Sequence, residues 1–508
     1  VTLAHSQNTI RDGASRPHAV VIGSGYGGLA AAIRLGARGY RVTVLERLDA
    51  AGGRGYVFRQ DGFTFDAGPT IITAPFLFEE LWKLCGKTMS DDIDLRLMDP
   101  FYRIRFDDGR TFDYCGDRDR LRAEVAKFCP GDLPGYDRFM KASEGVFRVG
   151  FEKLSSMPFS SVTDMLKVAP AMALHRSYRS VYQFASEYLS DDALRIVFSF
   201  HPLLIGGNPY SVTSVYSLIS FLEQRWGVHF AMGGTGALVQ GLVGLIEGQG
   251  NKIRYKSPVA RILAEHGRAV GVRLESGEVI DADIVVSNAD AATTYNTLLA
   301  DEPRFRWTDS RIEKSVSSMS AFVWYFGTRK RYEDVPHHTI LLGPRYRGLL
   351  HDIFDKKILA EDFSLYLYRP TATDPSMAPK GCDSFYVLSP VPNLEGTTDW
   401  ATEAEVYRKK IAAYLSRTVL PDLEANVVSS RMTTPLDFQN RLQSFRGAAF
   451  GMQPILLQSA WFRPNNRSEE LDRLYLVGAG THPGAGLPGV LSSAQVIDRL
   501  VPDANALI

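Results

Sequence analysis

The spacing of apolar and polar positions changes several times along the chain, and each change marks a different kind of element. HAVVIGS, residues 18–24, is a short β-branched run with no polar face, the pattern of a strand buried on both sides. It meets a glycine cluster and then LAAAIRLGARG, whose alanine- and leucine-rich composition predicts a helix stopped by Gly39. RVTVLE follows as a second strand and ends in Glu46. At 233–250 a glycine pair opens an amphipathic helix with Leu238, Leu242, Leu245 and Ile246 on one face. Residues 252–290 alternate around the turn pairs His266-Gly267 and Ser276-Gly277, which predicts a small antiparallel meander and then a strand at 283–287.

Strands dominate from 295 to 465, with AFVWYFG (321–327), HTILLG (338–343), FSLYLYRP (363–370) and SFYVLSPVP (384–392). Their alternating aromatic and apolar residues predict a mixed sheet with one oily face, a floor for an apolar ligand. Residues 140–230 are of a third kind. Between 153 and 186 the charges are Lys153, Lys167, Arg176, Arg179 and one acid, Asp164, set among apolar residues such as Phe159, Met165, Leu166 and Leu174. Those are the ingredients of a helix lying in a membrane interface, and equally of a helical cap with a solvated basic face. The uncharged stretch 196–222 has the length of a membrane span, but Pro202, Gly206, Gly207 and Pro209 break it, so no single helix crosses there.

These patterns predict an α/β chain that leaves its first domain and returns to it twice. A Rossmann-like nucleotide domain takes 18–75, 231–294 and 466–508. A mixed-sheet substrate domain takes 76–139 and 295–465, and a helical, membrane-facing cap takes 140–230. Residues 1–17, polar and without an apolar core, read as a disordered tail. The length of 508 residues is enough for two to four domains. Lys plus Arg and Asp plus Glu each number 57, so the chain lacks the basic excess of a nucleic-acid binder. Four scattered cysteines without a C-x-x-C pair read as reduced thiols of a cytoplasmic protein. Ten histidines with no H-E-x-x-H spacing point to no metal site.

The glycine cluster carries the first candidate chemistry. Gly23, Ser24, Gly25, Tyr26, Gly27 and Gly28 form G-x-G-x-x-G between a strand and a helix, with Glu46 at the end of the next strand. Gly23 permits the tight turn, Gly25 lets backbone approach a pyrophosphate, and Gly28 lets helix pack on strand. The helix N-terminus offers free N–H groups to phosphate, and Glu46 can accept from ribose hydroxyls. The fingerprint serves NAD and FAD alike. Two features favour FAD: the Gly52-Gly53-Arg54 loop, suited to wrap an extended dinucleotide, and LYLVGAGTHPGAGLPG at 474–489, a second strand opening into a glycine turn and a helix near Val490. Its Gly478-x-Gly480-x-x-Pro483 spacing departs from the Rossmann pattern, so it brings backbone N–H groups to a flavin rather than binding a second nucleotide. Val259 is placed to cover the adenine end.

Together with GFTFDAGPTIIT (62–73), PFYRIRF (100–106), SFHPLLIGGNPYSVTS (199–214), VVSNAD and QSAWFRP (458–464), these motifs resemble the bacterial-type phytoene desaturases, most closely the purple-bacterial kind. The resemblance implies noncovalent FAD and stepwise dehydrogenation of 15-cis-phytoene through partly desaturated intermediates to neurosporene or lycopene. It also implies peripheral attachment to a membrane surface, and quinone or oxygen as electron acceptor. By position it carries flavin contacts onto Gly23, Ser24, Gly25, Gly28, Glu46, Arg54, Val259, Gly480, Gly486 and Val490. Two departures stand out: Gln453 where a Glu is expected, and Lys167 where some relatives have Arg. A hydrocarbon has no polar handle, so its binding rests on buried apolar area at ~25 cal/mol per Å². Proton loss beside an allylic cation needs no strong base. Asp164 is the candidate catalytic acid, against a surface Asp paired with Lys167. His201 and Phe200 are candidate substrate neighbours, and His482 a residue shaping the flavin site. The alternatives on this fold are a flavin-dependent polyene isomerase, an amine oxidase, and a lipid carrier that has lost its flavin.

Overall fold

The computed structural model describes residues 16–507. The tail expected over residues 1–17 falls mainly on 1–15, which lie outside the described residues. Arg16 and Pro17 are tied down: Arg16 Nε donates to the Gly39 carbonyl at 3.0 Å, and Arg41 N–H donates to Pro17.

The predicted first strand, helix and second strand form β1 (His18–Ile22), α1 (Tyr26–Ala37) and β2 (Arg41–Leu45). They enter a five-stranded parallel sheet with β3 (Lys252–Arg254), β4 (Ile284–Ser287) and β5 (Leu474–Leu476), in the order β5-β4-β1-β2-β3. Every residue of β1 and β4 is buried, as parallel strands covered on both faces require. The chain therefore builds one sheet from three distant segments. Residues 252–254, read as part of the meander, join β2 instead; the meander proper is Val259–Glu265, Arg268–Leu274 and Val279–Asp281.

A seven-stranded sheet stands over this domain. Its order is Val427–Thr433, Ser320–Thr328, Asp383–Val391, Leu365–Tyr368, His338–Leu341, Tyr102–Arg105 and Thr111–Tyr114. All neighbours are antiparallel except His338–Leu341 with Tyr102–Arg105, so the sheet is mixed. Both of its faces are apolar, unlike the one oily face expected. Ala321, Val323 and Tyr325 look into the interior cavity, while Phe322, Trp324 and Phe326 pack against Trp400, Tyr407 and Ile411 of the helix Trp400–Thr418. Strict alternation delivers both sets from one strand.

Residues 140–230 are mostly helices and turns, with a short strand beginning at His229. They include α2 (Val162–Leu174) and α3 (Leu218–Trp226); the broken stretch that starts at 196 supplies short turns as far as Ser217, after which α3 begins. Among the described residues no helix is long and apolar enough to cross a membrane. The glycine pair at 233–234 leads into α4 (Thr235–Gly248), with Leu238, Leu242, Leu245 and Ile246 buried as predicted, and the last glycine turn leads into α5 (Leu487–Leu500).

Candidate functional site

One cavity of about 570 Å³ runs between the two sheets. Its walls include the β1–α1 turn, Glu46, Arg54, Val259, the 478–490 turn, the inner face of the mixed sheet, and residues of α2 and α3.

At the β1–α1 turn the structure gives each glycine a steric reason. Gly23 holds φ +88°, open to glycine and strained for other residues. A Cβ on Gly28 would stand 2.1 Å from the Gly23 carbonyl oxygen, and one on Gly25 would stand 2.9 Å from Asn288 Nδ2. Asn288, just past β4, is also within 2.6 Å of where a Cβ on Gly27 or Gly478 would stand. Sequence reasoning did not single out Asn288. It is the residue on which both glycine turns close, and the signal was the S-N-A-D step at the end of an otherwise apolar strand.

Glu46 is buried, and its carboxylate stitches the turn together. Ser24 N–H and Oγ–H donate to Oε2 at 2.9 and 2.6 Å, and Leu48 N–H donates to Oε1 at 2.8 Å. Ser24 therefore faces the acid, while Oε1 keeps a lone pair for a further donor. Pro258 and Val259 line the wall beside it.

Two helices point uncapped N-termini at this cavity. The N-caps of α1 and α5 are Gly25 and Gly486, neither with a side chain to cap the first turn, and both line the cavity. Free N–H groups and the positive ends of two helix dipoles suit the anionic part of a dinucleotide. The contrast is α4, also led by glycine: Asp66 accepts from Thr235 N–H at 2.9 Å and fills the position a ligand would need. Burial pushes the Asp66 carboxyl up to about 6, against the pull of hydrogen bonds from Tyr368 and Thr235.

Arg54, also on the cavity wall, is held by residues from far along the chain. It donates from Nε to the Ala449 carbonyl at 2.6 Å and from Nη2 to Ser444 Oγ at 2.8 Å. Burial lowers its pKa, opposed by the neighbouring Asp290 carboxylate. Gly478, Ala479, His482, Pro483, Gly486 and Val490 all face the same cavity as Gly23. Gly480 packs against Ala291, where a Cβ would come within 2.8 Å. His482 Nε2 lies 3.0 Å from the Leu154 carbonyl, and burial drives its pKa down to about 4, so the ring is neutral.

The rest of the wall is oily. Phe200, Leu203, Leu222, Ile340, Leu388 and Phe450 line it. Tyr366 and Tyr386 line it too, but their hydroxyls bond to Thr70 Oγ1 at 3.0 and 2.5 Å, leaving ring faces for a ligand.

Two candidates sit elsewhere than expected. Asp164 is absent from the cavity wall. It is the third residue of α2 and forms a capping box: Ser161 N–H and Oγ–H donate to Asp164 Oδ2 at 3.1 and 2.8 Å. The Ser161 hydrogen bonds, with Lys167 Nζ at 3.6 Å, hold its carboxyl below the usual range, so it is a poor base. The S-x-x-D spacing before an apolar run was the signal that assigns this role. The residues α2 turns to the cavity are Met165, Val168 and Met172. His201 is also set back from the wall. Its ring stacks on Phe200 with centroids 4.3 Å apart, and its Nε2 lies 3.1 Å from Glu223 Oε2. Phe200 reaches the cavity; behind it, Glu223 does as well.

The fold and this cavity define a class, the flavin containing amine oxidoreductases, and the chain matches that family over residues 26–496. The fold recurs in a putrescine oxidase redesigned in its cofactor binding (TM-score 0.65, 14% identity, 97% of this chain and 98% of that one). It recurs also in an oxidoreductase from Methanosarcina mazei (TM-score 0.63, 18% identity, 94% and 99%). Within that class the chain belongs to the bacterial phytoene desaturases. It is 50% identical over 491 residues to the neurosporene-forming phytoene desaturase of Cereibacter sphaeroides, covering 96% of this chain and 95% of that one. It is 47% identical over 483 residues to the lycopene-forming phytoene desaturase of Pseudescherichia vulneris, covering 95% and 98%. The chain is thus an oxidoreductase with a flavin cofactor.

Proposed function

We propose that this protein binds FAD without a covalent bond and dehydrogenates 15-cis-phytoene to neurosporene or lycopene. The observation that carries the reading is one continuous cavity lined both by two uncapped helix N-termini and by an apolar, aromatic wall. Gly23, Gly25, Glu46 and Val259 would hold the dinucleotide, with Ser24 and Gly28 shaping that turn behind the wall, and Arg54, Gly486 and Val490 would frame the ring, with Gly480 packed behind them on Ala291. None of the four cysteines lines the cavity, which supports a noncovalent flavin. When bound, the flavin supplies the two-electron oxidation. The chain supplies position and dryness: the wall holds the hydrocarbon by buried area and excludes water.

The route of so apolar a substrate supports attachment to a membrane surface. α2 turns Met165, Val168 and Met172 to the cavity while Leu166 and Leu174 on its other side are 66% and 78% exposed. One helix thus joins an oily exterior to the oily interior. Quinone or oxygen would reoxidise the flavin. Incubating the protein with FAD and phytoene-loaded liposomes tests the assignment. Visible bands of neurosporene or lycopene support it and count the steps; an unchanged spectrum with flavin bound contradicts it.

A further inference from the structure

We propose that Glu223 is a catalytic carboxylate of the hydrocarbon wall, stabilising the positive charge left on the substrate by hydride departure and accepting the proton whose loss completes the new double bond. The proposal rests on the desaturase reading. Glu223 lies in α3, is 1% exposed, and lines the cavity beside Ile219, Leu222 and Phe200. Tyr102 Oη–H donates to Oε1 at 2.7 Å, and His201 Nε2 meets Oε2 at 3.1 Å. Among the described residues no Lys or Arg pairs with it. The other acids on the cavity wall are Glu46 and Asp290. Glu46 is engaged by Ser24 and Leu48, and Asp290 caps Ala292 N–H and faces Arg54.

A carboxylate taken out of water with only a tyrosine hydroxyl and an imidazole beside it is costly. Binding a hydrocarbon gives no return for that cost, since leucine or phenylalanine at the position would bury more apolar surface. The charge becomes useful in the one step where the ligand turns into a cation. One allylic C–H bond breaks with both electrons leaving as hydride for the flavin, the family's oxidant. The carbocation left behind is delocalised over the existing polyene. A C–H bond on the adjacent carbon then breaks: its electron pair becomes the new π bond, and its proton passes to a Glu223 oxygen. Tyr102 and His201, both set behind the wall, are positioning residues that fix the orientation of the carboxylate.

The test uses the FAD-loaded protein and its E223Q variant, which is nearly isosteric and uncharged. Two polyprenyl probes of equal shape are titrated by flavin fluorescence, one ending in trimethylammonium and one in tert-butyl. The wild type is expected to bind the cation on the order of tenfold more tightly than the neutral probe, and E223Q to show no preference. Anaerobic flavin reduction by phytoene is expected to slow roughly a hundredfold in E223Q, with flavin content unchanged. A wild type indifferent to charge, or an E223Q that reduces its flavin within about threefold of the wild-type rate, overturns the proposal. Should E223Q fail to retain flavin, the wild-type preference alone decides. A wild type that prefers the cation yet is not reduced by phytoene fails the desaturase reading and the catalytic role with it, leaving Glu223 only as a cation-binding carboxylate.

Discussion

Glu46 shows how one side chain can serve both the turn and the ligand. Replacing it with arginine removes the acceptor for Ser24 N–H, Ser24 Oγ–H and Leu48 N–H, and places a cation where ribose hydroxyls would donate. Unpaired buried donors cost ~1–3 kcal/mol each, so Glu46→Arg should lower the flavin-to-protein ratio by about tenfold or more. Unchanged flavin content after gel filtration would show the acid is not part of the site. His338 gives a pH signature. It is buried, its Nδ1 lies 2.7 Å from Tyr366 Oη, and burial lowers its pKa to about 3. The unfolded chain takes up a proton on this ring below its ordinary value of 6.5, whereas the folded one does so only near 3. Stability is therefore lost as pH falls through that window. Between about pH 6.5 and about pH 5 the wild type should lose roughly 1.6 kcal/mol more than His338→Asn. Denaturant titrations at both pH values check this, and parallel losses would refute it.

At the scale of elements, α2 separates a capping acid from a catalytic one. Asp164→Asn weakens the reciprocal bonds with Ser161, at a cost of about 0.5–2 kcal/mol to that helix, while desaturation stays within roughly threefold. A hundredfold loss of rate with flavin intact would return Asp164 to the chemistry. The β1–α1 turn, β2 and its acid, and α4 were legible in the sequence because their signals are local: a buried run, a glycine turn, a helical stripe. Glu223 and Asn288 were not, because their roles depend on partners distant in the chain. Glu223 meets Tyr102 from the mixed sheet, and Asn288 meets glycines from both ends of the chain. A hint of Glu223 was present even so, since the uncharged stretch at 196–222 stops at that residue. The two-sided burial of the strand Ser320–Thr328 was hidden for a related reason. Its second apolar face is defined by the helix Trp400–Thr418, far along the chain.

At the scale of the whole molecule, the segment 162–187 pairs most of its charge while leaving apolar residues of α2 exposed. The basic residues expected to face a membrane are mostly answered by acids: Glu187 takes both Arg176 and Arg179, and Lys167 stands near Asp164. Apolar exposure on α2 is therefore the stronger ground for surface attachment. The double variant Leu166→Glu, Leu174→Glu should reduce co-sedimentation with neutral liposomes several-fold while leaving flavin content unchanged. Equal sedimentation would remove α2 from the contact. The central claim is that a hydrocarbon in this cavity delivers electrons to the flavin. Its most direct measurement is the flavin's visible absorbance on anaerobic addition of phytoene liposomes to the FAD-loaded protein. The account predicts bleaching by phytoene and none by putrescine or cyclohexylamine; a flavin that stays oxidised with phytoene but bleaches with an amine would contradict it.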